Sequence, residues 1–310
     1  MKQITNSILM ISPVNFRGNE QTAVDNYYQN TFNDSSSSCL QRKALVEFNS
    51  LVDKLESVGV NVVVVKDTKE LDTPDSVFPN NWISFHANGK IVLYPMFAKN
   101  RRKERRKDIL DLLVDQHNFK IKEIKDLTNF ENHDSYLEGT GSMVLDRQAK
   151  ICYAAVSMRT DKVLVMKFCD DLAYQPVFFV ANQDVNGDRK PIYHTNVMMC
   201  VADRFVVICL DTIDEKSERD YLVEVLTKTG KEIIEITQRQ KNSFAGNMLQ
   251  VMGDKPYLVM SSSAFCVLTK EQISLIEKYC PIIHSPLDTI EAFGGGSARC
   301  MMAEIFLPSK

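Results

Sequence analysis

A carboxylate, an imidazole and a thiol recur at nearly constant spacing in this chain of 310 residues. Glu138, His194 and Cys300 belong to a series of five polar residues that also contains Asn81 and Asn247, and the successive separations are 57, 56, 53 and 53 residues. A cysteine sulfur attacks as the thiolate, a nearby imidazole can promote that form, and a carboxylate can hold the imidazole in one tautomer. The three residue types therefore predict an activated cysteine nucleophile.

Each of the five residues stands at the same step of a repeated pattern. An amphipathic helix leads to a short apolar strand, and the polar residue then opens a β-hairpin. In the first cycle, residues 40–58 have helical spacing, residues 60–65 are an apolar strand, and Asn88-Gly89 turns the hairpin after Asn81. The second cycle has its helix predicted at 100–116. A repeat of this length predicts one structural unit per cycle, with the polar residues in equivalent places.

The two ends of the chain are predicted to share one unit. The fifth cycle ends before a second hairpin strand can form, and the apolar segment at 8–11 would supply one and remove an exposed sheet edge. We therefore predict an α/β fold in which residues 1–310 form a single domain of five units. Residues 34–38 and 182–190 are predicted as loops. The second loop precedes His194 and is either a flap over the site or a plain surface loop.

Composition excludes several classes of protein. The formal net charge is −3 and the pI is about 6.0, which gives no electrostatic footprint for nucleic acid or for an anionic membrane. No apolar run approaches the roughly 18 residues of a membrane span, and the first residues lack the core of a secretory signal, so a cytoplasmic location is expected. The basic run at 101–107 is predicted to be the solvated start of the second helix, rather than an RNA or membrane contact.

The eight cysteines include no CxxC pair and mostly lie in apolar strands, which is typical of buried free thiols. No metal is implied, because the three chemical residues are too few for a closed zinc site. No organic cofactor is needed either, since side chains and water suffice for the chemistry. Three consecutive glycines at 294–296 precede Cys300, which indicates backbone bent or crowded against a ligand, or else a wide turn.

Six stretches around these residues resemble one known family. The residues of these stretches, and their order along nearly the whole chain, are similar to those of the guanidino-group modifying superfamily. This superfamily includes arginine deiminases, dimethylarginine hydrolases and amidinotransferases. Within it, the sequence looks most like the bacterial citrulline utilization hydrolases. The stretches are Phe78-Pro79-Asn80-Asn81-Trp82, Leu137-Glu138-Gly139, Ser157-Met158-Arg159-Thr160, His194-Thr195-Asn196, Gly246-Asn247 and Gly294-Gly295-Gly296-Ser297-Ala298-Arg299-Cys300.

The resemblance implies a five-bladed α/β propeller, the pentein fold, and a covalent mechanism. Cys300 would attack the central carbon of a guanidino or ureido group, His194 would act as general acid and then base, and Glu138 would contact the substrate nitrogen and orient the histidine. Arg159 matches the arginine that binds the substrate's carboxylate, unless it is a surface arginine at a helix start. The remaining substrate-binding residues would be Asn81, Asn196 and Asn247.

The predicted substrate is a small ureido or guanidino amino acid. Arginine deiminases have aspartates where this chain has Asn81 and Asn196, and two neutral amides suit the neutral ureido group of citrulline better than a cation. The argument stays open, because succinylarginine dihydrolases use an asparagine with a guanidino group. The chain is thus predicted to be a cysteine-dependent hydrolase of citrulline or a derivative. The alternatives are an arginine deiminase or dihydrolase, an amidinotransferase, and a non-enzymatic ribosome-binding propeller. Acyl decoration of the substrate and homo-oligomerisation are left open.

Overall fold

The computed structural model describes residues 2–29 and 37–310, and it has the predicted α/β class. The strands are β1 Ser7–Ser12, β2 Asn61–Lys66, β3 Ile83–Phe85, β4 Lys90–Leu93, β5 Glu123–Asp126, β6 Val144–Asp146, β7 Ile151–Ala155, β8 Gln175–Phe179, β9 Asn182–Val185, β10 Asp188–Pro191, β11 Met199–Val201, β12 Phe205–Ile208, β13 Glu232–Glu235, β14 Leu249–Met252, β15 Pro256–Ser261, β16 Ile282–Ser285 and β17 Ala303–Glu304. The helices are α1 Ser37–Ser57, α2 Lys107–Asp115, α3 Gly139–Ser142, α4 Lys162–Leu172, α5 Lys216–Lys228, α6 Gln238–Asn242, α7 Ser262–Val267, α8 Lys270–Glu277 and α9 Asp288–Gly294.

Four three-stranded sheets share one pattern. In the orders β3-β4-β5, β6-β7-β8, β11-β12-β13 and β14-β15-β16, the first two strands pair antiparallel as a hairpin and the third lies parallel to the second. A parallel neighbour requires a crossover connection, and a helix lies in each one. The predicted cycle of helix, strand and hairpin is therefore present.

A fifth sheet joins the two ends of the chain in the order β17-β1-β2. Ile8 pairs with Glu304 and Leu9 with Ala303 in the antiparallel sense, while β1 runs parallel to β2. The N-terminal strand thus takes the place of the missing hairpin strand, and the prediction that the termini share a unit is confirmed. The pairing also covers a backbone edge that β17 would otherwise expose.

Helices and strands bury the apolar residues that the pattern marked. Along α1, Leu40, Ala44, Phe48, Leu51 and Leu55 are almost fully buried. All five residues of β7 are buried as well. Alternate residues of β7 belong to two apolar clusters, one shared with α4 and the other with β11 and β12, which explains the continuous apolar sequence of this strand. None of the described helices has the length and apolar character required to span a membrane.

Residues 182–190 do not form the predicted loop, because β9 and β10 pair there as an antiparallel hairpin. Asn186 and Gly187 both have positive φ, at 53° and 88°, as a two-residue primed turn requires. The Asn-Gly pair is therefore the signal that the loop prediction overlooked. In the other predicted loop, residues 34–36 lie outside the described residues, and α1 already begins at Ser37.

The basic run at 101–107 is not the solvated start of a helix, and that prediction is wrong. Residues Asn100–Glu104 form a separate turn of 3-10 helix, and α2 begins only at Lys107. Arg101 is 2% exposed, and its guanidinium donates to both carboxylate oxygens of Glu104 at 2.9 and 3.0 Å. An acidic partner three residues away therefore lets an arginine of the run turn inward.

Candidate active site

The five phased residues occupy equivalent places in the five sheets. Asn81, Glu138, His194, Asn247 and Cys300 each lie two to six residues before the first strand of a hairpin or its counterpart, β3, β6, β11, β14 and β17. All five are at most 4% exposed. A short helical turn separates Glu138 from β6 and His194 from β11. The repeat therefore positions five polar side chains inside the protein.

Glu138 and His194 form a hydrogen-bonded pair, with 2.8 Å between Oε2 and Nε2. Burial by itself would raise the pKa of the Glu138 carboxyl, but Arg159, His194 and Arg101 outweigh it and hold that pKa well below its usual value. The Phe97 amide also donates to Oε1 at 3.0 Å. Glu138 is therefore a carboxylate, and the imidazole donates to it through Nε2.

Burial lowers the pKa of His194 below its ordinary value of 6.5. The hydrogen bond and charge of Glu138 oppose that effect, whereas Arg159 and Arg101 add to it. The resting imidazole is consequently neutral at neutral pH. Because Nε2 donates to Glu138, the lone pair on Nδ1 is the one that can accept a proton from another group.

The sulfur of Cys300 faces two side-chain amides. Nδ2 of Asn196 lies 3.4 Å from Sγ, and Nδ2 of Asn247 lies 3.3 Å from it. The orientation of the second amide is fixed, because Asn247 Oδ1 accepts a hydrogen bond from the backbone N–H of Arg299 at 3.1 Å. Two N–H groups aimed at one atom stabilise negative charge on it, as an oxyanion hole does for oxygen.

The glycine run before Cys300 is crowded by the protein itself. Gly294 ends α9, and Gly295 adopts a left-handed φ of 64°. A side-chain carbon on Gly295 would lie 2.4 Å from Nδ2 of Asn26, and one on Gly294 would lie 2.8 Å from the Phe78 ring. The sequence predicts backbone bent or crowded against a ligand, or a wide turn, and the atoms that crowd it here belong to these two side chains.

Arg159 is 1% exposed, so its interpretation as a surface arginine is wrong. Its guanidinium carbon stands 4.9 Å from the centre of the Tyr193 ring and 5.7 Å from that of Phe97. Nε donates to Asp25 at 2.9 Å, and Nη1 donates to Glu138 at 3.4 Å. Planar stacking and charged partners together fix the fork of the arginine.

Two buried amide atoms at the site have no hydrogen-bond partner within the described part of the chain. They are Nδ2 of Asn81 and Oδ1 of Asn196. The other end of each amide is engaged: Arg101 Nη1 donates to Asn81 Oδ1 at 2.8 Å, and Asn196 Nδ2 points at the sulfur. Buried polar atoms are rarely left unsatisfied in native proteins, so these two mark positions for a ligand's polar groups.

Sequence reasoning missed two residues of the site, Arg101 and Asp25. Arg101 lay in a run with the appearance of a solvated charge cluster, and Glu104 three residues later was the available sign of an inward ion pair. Asp25 lies 134 residues from its partner Arg159, and no local pattern marks it. Among the described residues, no group of three or more His, Cys, Asp or Glu side chains is arranged to hold a metal ion.

A family model described as N,N dimethylarginine dimethylhydrolase, eukaryotic, matches residues 12–307. The chain belongs to this family. It is therefore a member of the guanidino-group modifying superfamily and a hydrolase of carbon–nitrogen bonds other than peptide bonds, as the sequence predicted. No curated protein sequence matches the chain.

Solved structures with the same fold come from related proteins. ArgZ, an arginine dihydrolase from the ornithine-ammonia cycle in cyanobacteria, is 17% identical with a TM-score of 0.74 over 98% of this chain, which spans 41% of the ArgZ chain. The N-terminal domain of ArgZ, bound to substrate, is 18% identical with a TM-score of 0.72, covering 96% of this chain and 97% of its own. A dimethylarginine dimethylaminohydrolase adduct with S-methyl-L-thiocitrulline is 13% identical with a TM-score of 0.64, covering 97% and 100%. At these identities the likeness establishes the fold.

Proposed function

We propose that the protein hydrolyses the ureido group of citrulline, or of a close derivative, through a covalent intermediate on Cys300. The observation that carries the proposal is the pair of amide N–H groups aimed at Sγ of Cys300. The hydrogen-bonded pair of Glu138 and His194, at the equivalent step of two other units, would transfer the protons. A sulfur with two donors suits nucleophilic attack on an electrophilic carbon.

The reaction follows from the protonation states. The neutral His194 takes the thiol proton of Cys300, and the sulfur forms a bond to the central carbon of the substrate. The imidazolium then gives its proton to the departing nitrogen, the carbon–nitrogen bond breaks, and an amine or ammonia leaves. His194 next removes a proton from water, which attacks the same carbon. The carbon–sulfur bond breaks, the carbon leaves as a carbamate, and the imidazolium returns its proton to the thiolate. Glu138 stabilises each imidazolium that forms.

Neutral side chains at Asn81 and Asn196 support a ureido substrate. A buried guanidinium is stabilised by carboxylate partners, whereas a neutral ureido group is satisfied by amides. Arg159, held between two aromatic rings, would bind the substrate's carboxylate. Asn247 would donate a hydrogen bond to the sulfur of Cys300 and line the substrate site. Arginine dihydrolase activity is the second candidate, because the arginine dihydrolase ArgZ has the same fold.

The fold supports one active site per chain. We propose that the five sheets stand around a common axis as the blades of a propeller, and that residues 1–310 are a single domain. The pairing of β1 with both β17 and β2 supports this closure, because it links the first and last units of the repeat. A ribosome-binding role is disfavoured, since it would require no thiol, imidazole and carboxylate in the same phase of the repeat.

A turnover assay tests the proposal. Purified protein is incubated with citrulline, arginine and N,N-dimethylarginine, and the products are identified. Citrulline should give ornithine, and Cys300→Ser should lower turnover by about 10⁴-fold or more. Cys266→Ser, at an exposed cysteine, should retain full activity. Turnover of arginine at least as fast as citrulline would favour the dihydrolase.

Labelling separates an enzyme from a binding protein. A haloacetamidine reagent should alkylate Cys300 at neutral pH, and citrulline should protect it. Absence of labelling, together with absence of turnover on all three compounds, would overturn the proposed function.

A further inference from the structure

The orientation of the Asn81 amide is fixed by its neighbour Arg101. Nη1 of Arg101 lies 2.8 Å from Oδ1 of Asn81. A guanidinium has hydrogen-bond donors and no acceptor, so only the amide oxygen can face it. The Nδ2 group must therefore point the other way, whatever the substrate.

Arg101 itself cannot turn aside. Its guanidinium is buried and donates to both oxygens of Glu104 at 2.9 and 3.0 Å, and to the backbone oxygen of Phe78 at 3.1 Å. A bidentate pair with a carboxylate fixes the plane of the fork as well as its position. Flipping the Asn81 amide would set its N–H groups against Nη1 of Arg101 and leave a buried donor facing a donor.

The Nδ2 group of Asn81 lies near the proton-transfer nitrogen of His194. A side-chain carbon on Gly141 would lie 2.4 Å from Asn81 Nδ2 and 2.8 Å from His194 Nδ1, so both nitrogens pack against the same glycine. Asn81 Nδ2 has no partner there among the described residues. The site therefore presents an unsatisfied donor next to the proton-transfer nitrogen.

Asn196 presents the opposite group. Its Nδ2 points at Sγ of Cys300, and its Oδ1 has no partner within the described chain. The site thus offers one free donor and one free acceptor. A ureido group matches both, because its carbonyl oxygen accepts and its N–H groups donate. A guanidinium has N–H groups in every direction and can satisfy only the acceptor.

We infer that Arg101 is a positioning residue that makes the site select a ureido group over a guanidinium, by holding the Asn81 amide with its N–H groups toward the substrate. The inference rests on the proposed function, in which the substrate's reacting group lies between Asn81, Asn196 and Cys300. Sites built to hydrogen-bond one group discriminate against an analogue that leaves a buried polar atom unpaired.

The test measures binding in the catalytically silent Cys300→Ser protein. Dissociation constants for citrulline and arginine are determined by calorimetry with Arg101 intact, with Arg101→Met, and with Arg102→Met as the matched control. The Cys300→Ser protein should bind citrulline more tightly than it binds arginine. In the Arg101→Met protein the Asn81 amide can rotate. The preference for citrulline over arginine, given by the ratio of the two dissociation constants, should therefore fall by roughly 10- to 100-fold. Arg102→Met removes the neighbouring arginine, whose Nε donates to the backbone oxygen of Met96 at 3.0 Å, and should keep the ratio.

Loss of affinity for both compounds by the same factor in Arg101→Met would mean a structural role and overturn the inference. If that variant fails to fold, Asn81→Asp replaces it: one carboxylate oxygen would face Arg101 and the other could only accept, so arginine should become the preferred ligand. An unchanged ratio in Asn81→Asp would overturn the inference. The proposed function is judged separately by turnover in the unmodified protein, so its failure is distinguishable from an unmoved binding ratio.

Discussion

Asp25 occupies the face of Arg159 that a substrate carboxylate would require. Nε of Arg159 donates to Oδ2 at 2.9 Å, and Nη2 donates to Oδ1 and to the backbone oxygen of Thr22. Nη1 donates to Glu138 at 3.4 Å. These contacts leave one Nη1 hydrogen, so a ligand can gain the bidentate grip only if Asp25 withdraws.

The segment that carries Asp25, residues 19–29, is anchored on both sides of it. Asn19 donates to Asp75 at 2.7 Å, and Gln29 donates to the backbone oxygen of Phe293 at 2.7 Å. Asn26 reaches the backbone oxygen of Gly295, close to the nucleophile, at 3.3 Å. The segment therefore bridges two walls of the site and holds the carboxylate in place.

Replacement of Asp25 by Asn should strengthen ligand binding. The variant keeps the size of the side chain but loses a charge-assisted pair worth about 1.5 kcal/mol or more, so Arg159 becomes available at lower cost. We expect the dissociation constant for citrulline to fall by about 10-fold in calorimetry. Asp72→Asn is the matched control, because Asp72 pairs with an arginine at an exposed position. Weaker binding by Asp25→Asn would instead mean that Asp25 holds the substrate's ammonium group.

Replacement of Asn247 by Asp should slow alkylation of Cys300. The variant retains Oδ1 for the Arg299 N–H but exchanges the donor beside Sγ for a negatively charged oxygen. Loss of one such donor costs about 10²-fold or more in reactivity. The rate of labelling by a haloacetamidine at pH 7.5, followed by mass spectrometry, measures the effect. Asn242→Asp, at an exposed position, should label at the normal rate. Equal rates in all three proteins would exclude a role for the Asn247 amide.

Replacement of Glu138 by Gln should shift the pH profile toward acid. Burial lowers the pKa of His194 and the Glu138 carboxylate opposes that effect, so removing the charge lowers the pKa of His194 further. Because the neutral imidazole starts the reaction, the acidic inflection of kcat/KM should move to lower pH, with kcat reduced by about 10²- to 10⁴-fold. Glu131→Gln, which alters a carboxylate paired with Arg105, is the control. An inflection that stays or rises would contradict the role of Glu138.

The phased residues could be predicted because their signal is local and repeated. Glu138 and His194 stand at the same step of successive cycles, and the structure pairs them. The closing strand was predictable as well, since the last unit lacks one hairpin strand and the apolar strand at 8–11 has no other predicted partner. The helix and strand periods are local, and the missing strand of the last unit is visible in the sequence, so one sequence suffices to detect both.

Burial of Arg101 does not follow from its local partner Glu104 alone, because the rest of its environment is assembled from other segments. Arg101 draws its partners from residues 78, 81 and 104, and only the folded chain brings them together. The same holds for Arg159, whose partner Asp25 lies in a segment without periodic sequence. Charged runs indicate solvent exposure on average, and that average fails where carboxylates from other elements compensate the burial.

Lys241 should make the protein more stable as the pH rises above 8. This lysine of α6 is fully buried, and its ammonium donates to the Tyr28 hydroxyl at 2.6 Å and to Gln183 at 2.9 Å. Burial lowers the pKa of Lys241 from 10.5 to about 8. Between these values the unfolded chain holds a proton that the native state has released, so the free energy of unfolding increases with pH.

From pH 7.5 to 9.5 that increase should be of the order of 2 kcal/mol, measured by urea unfolding. Lys241→Met removes the group and should remove this increment, whereas Lys270→Met, at an exposed lysine, should keep it. The other titratable groups outside the two lysines are the same in all three proteins, so the difference between the curves reports on Lys241. Parallel curves for the unmodified protein and Lys241→Met would show that the buried ammonium keeps its proton, and that Tyr28 and Gln183 solvate it as well as water does.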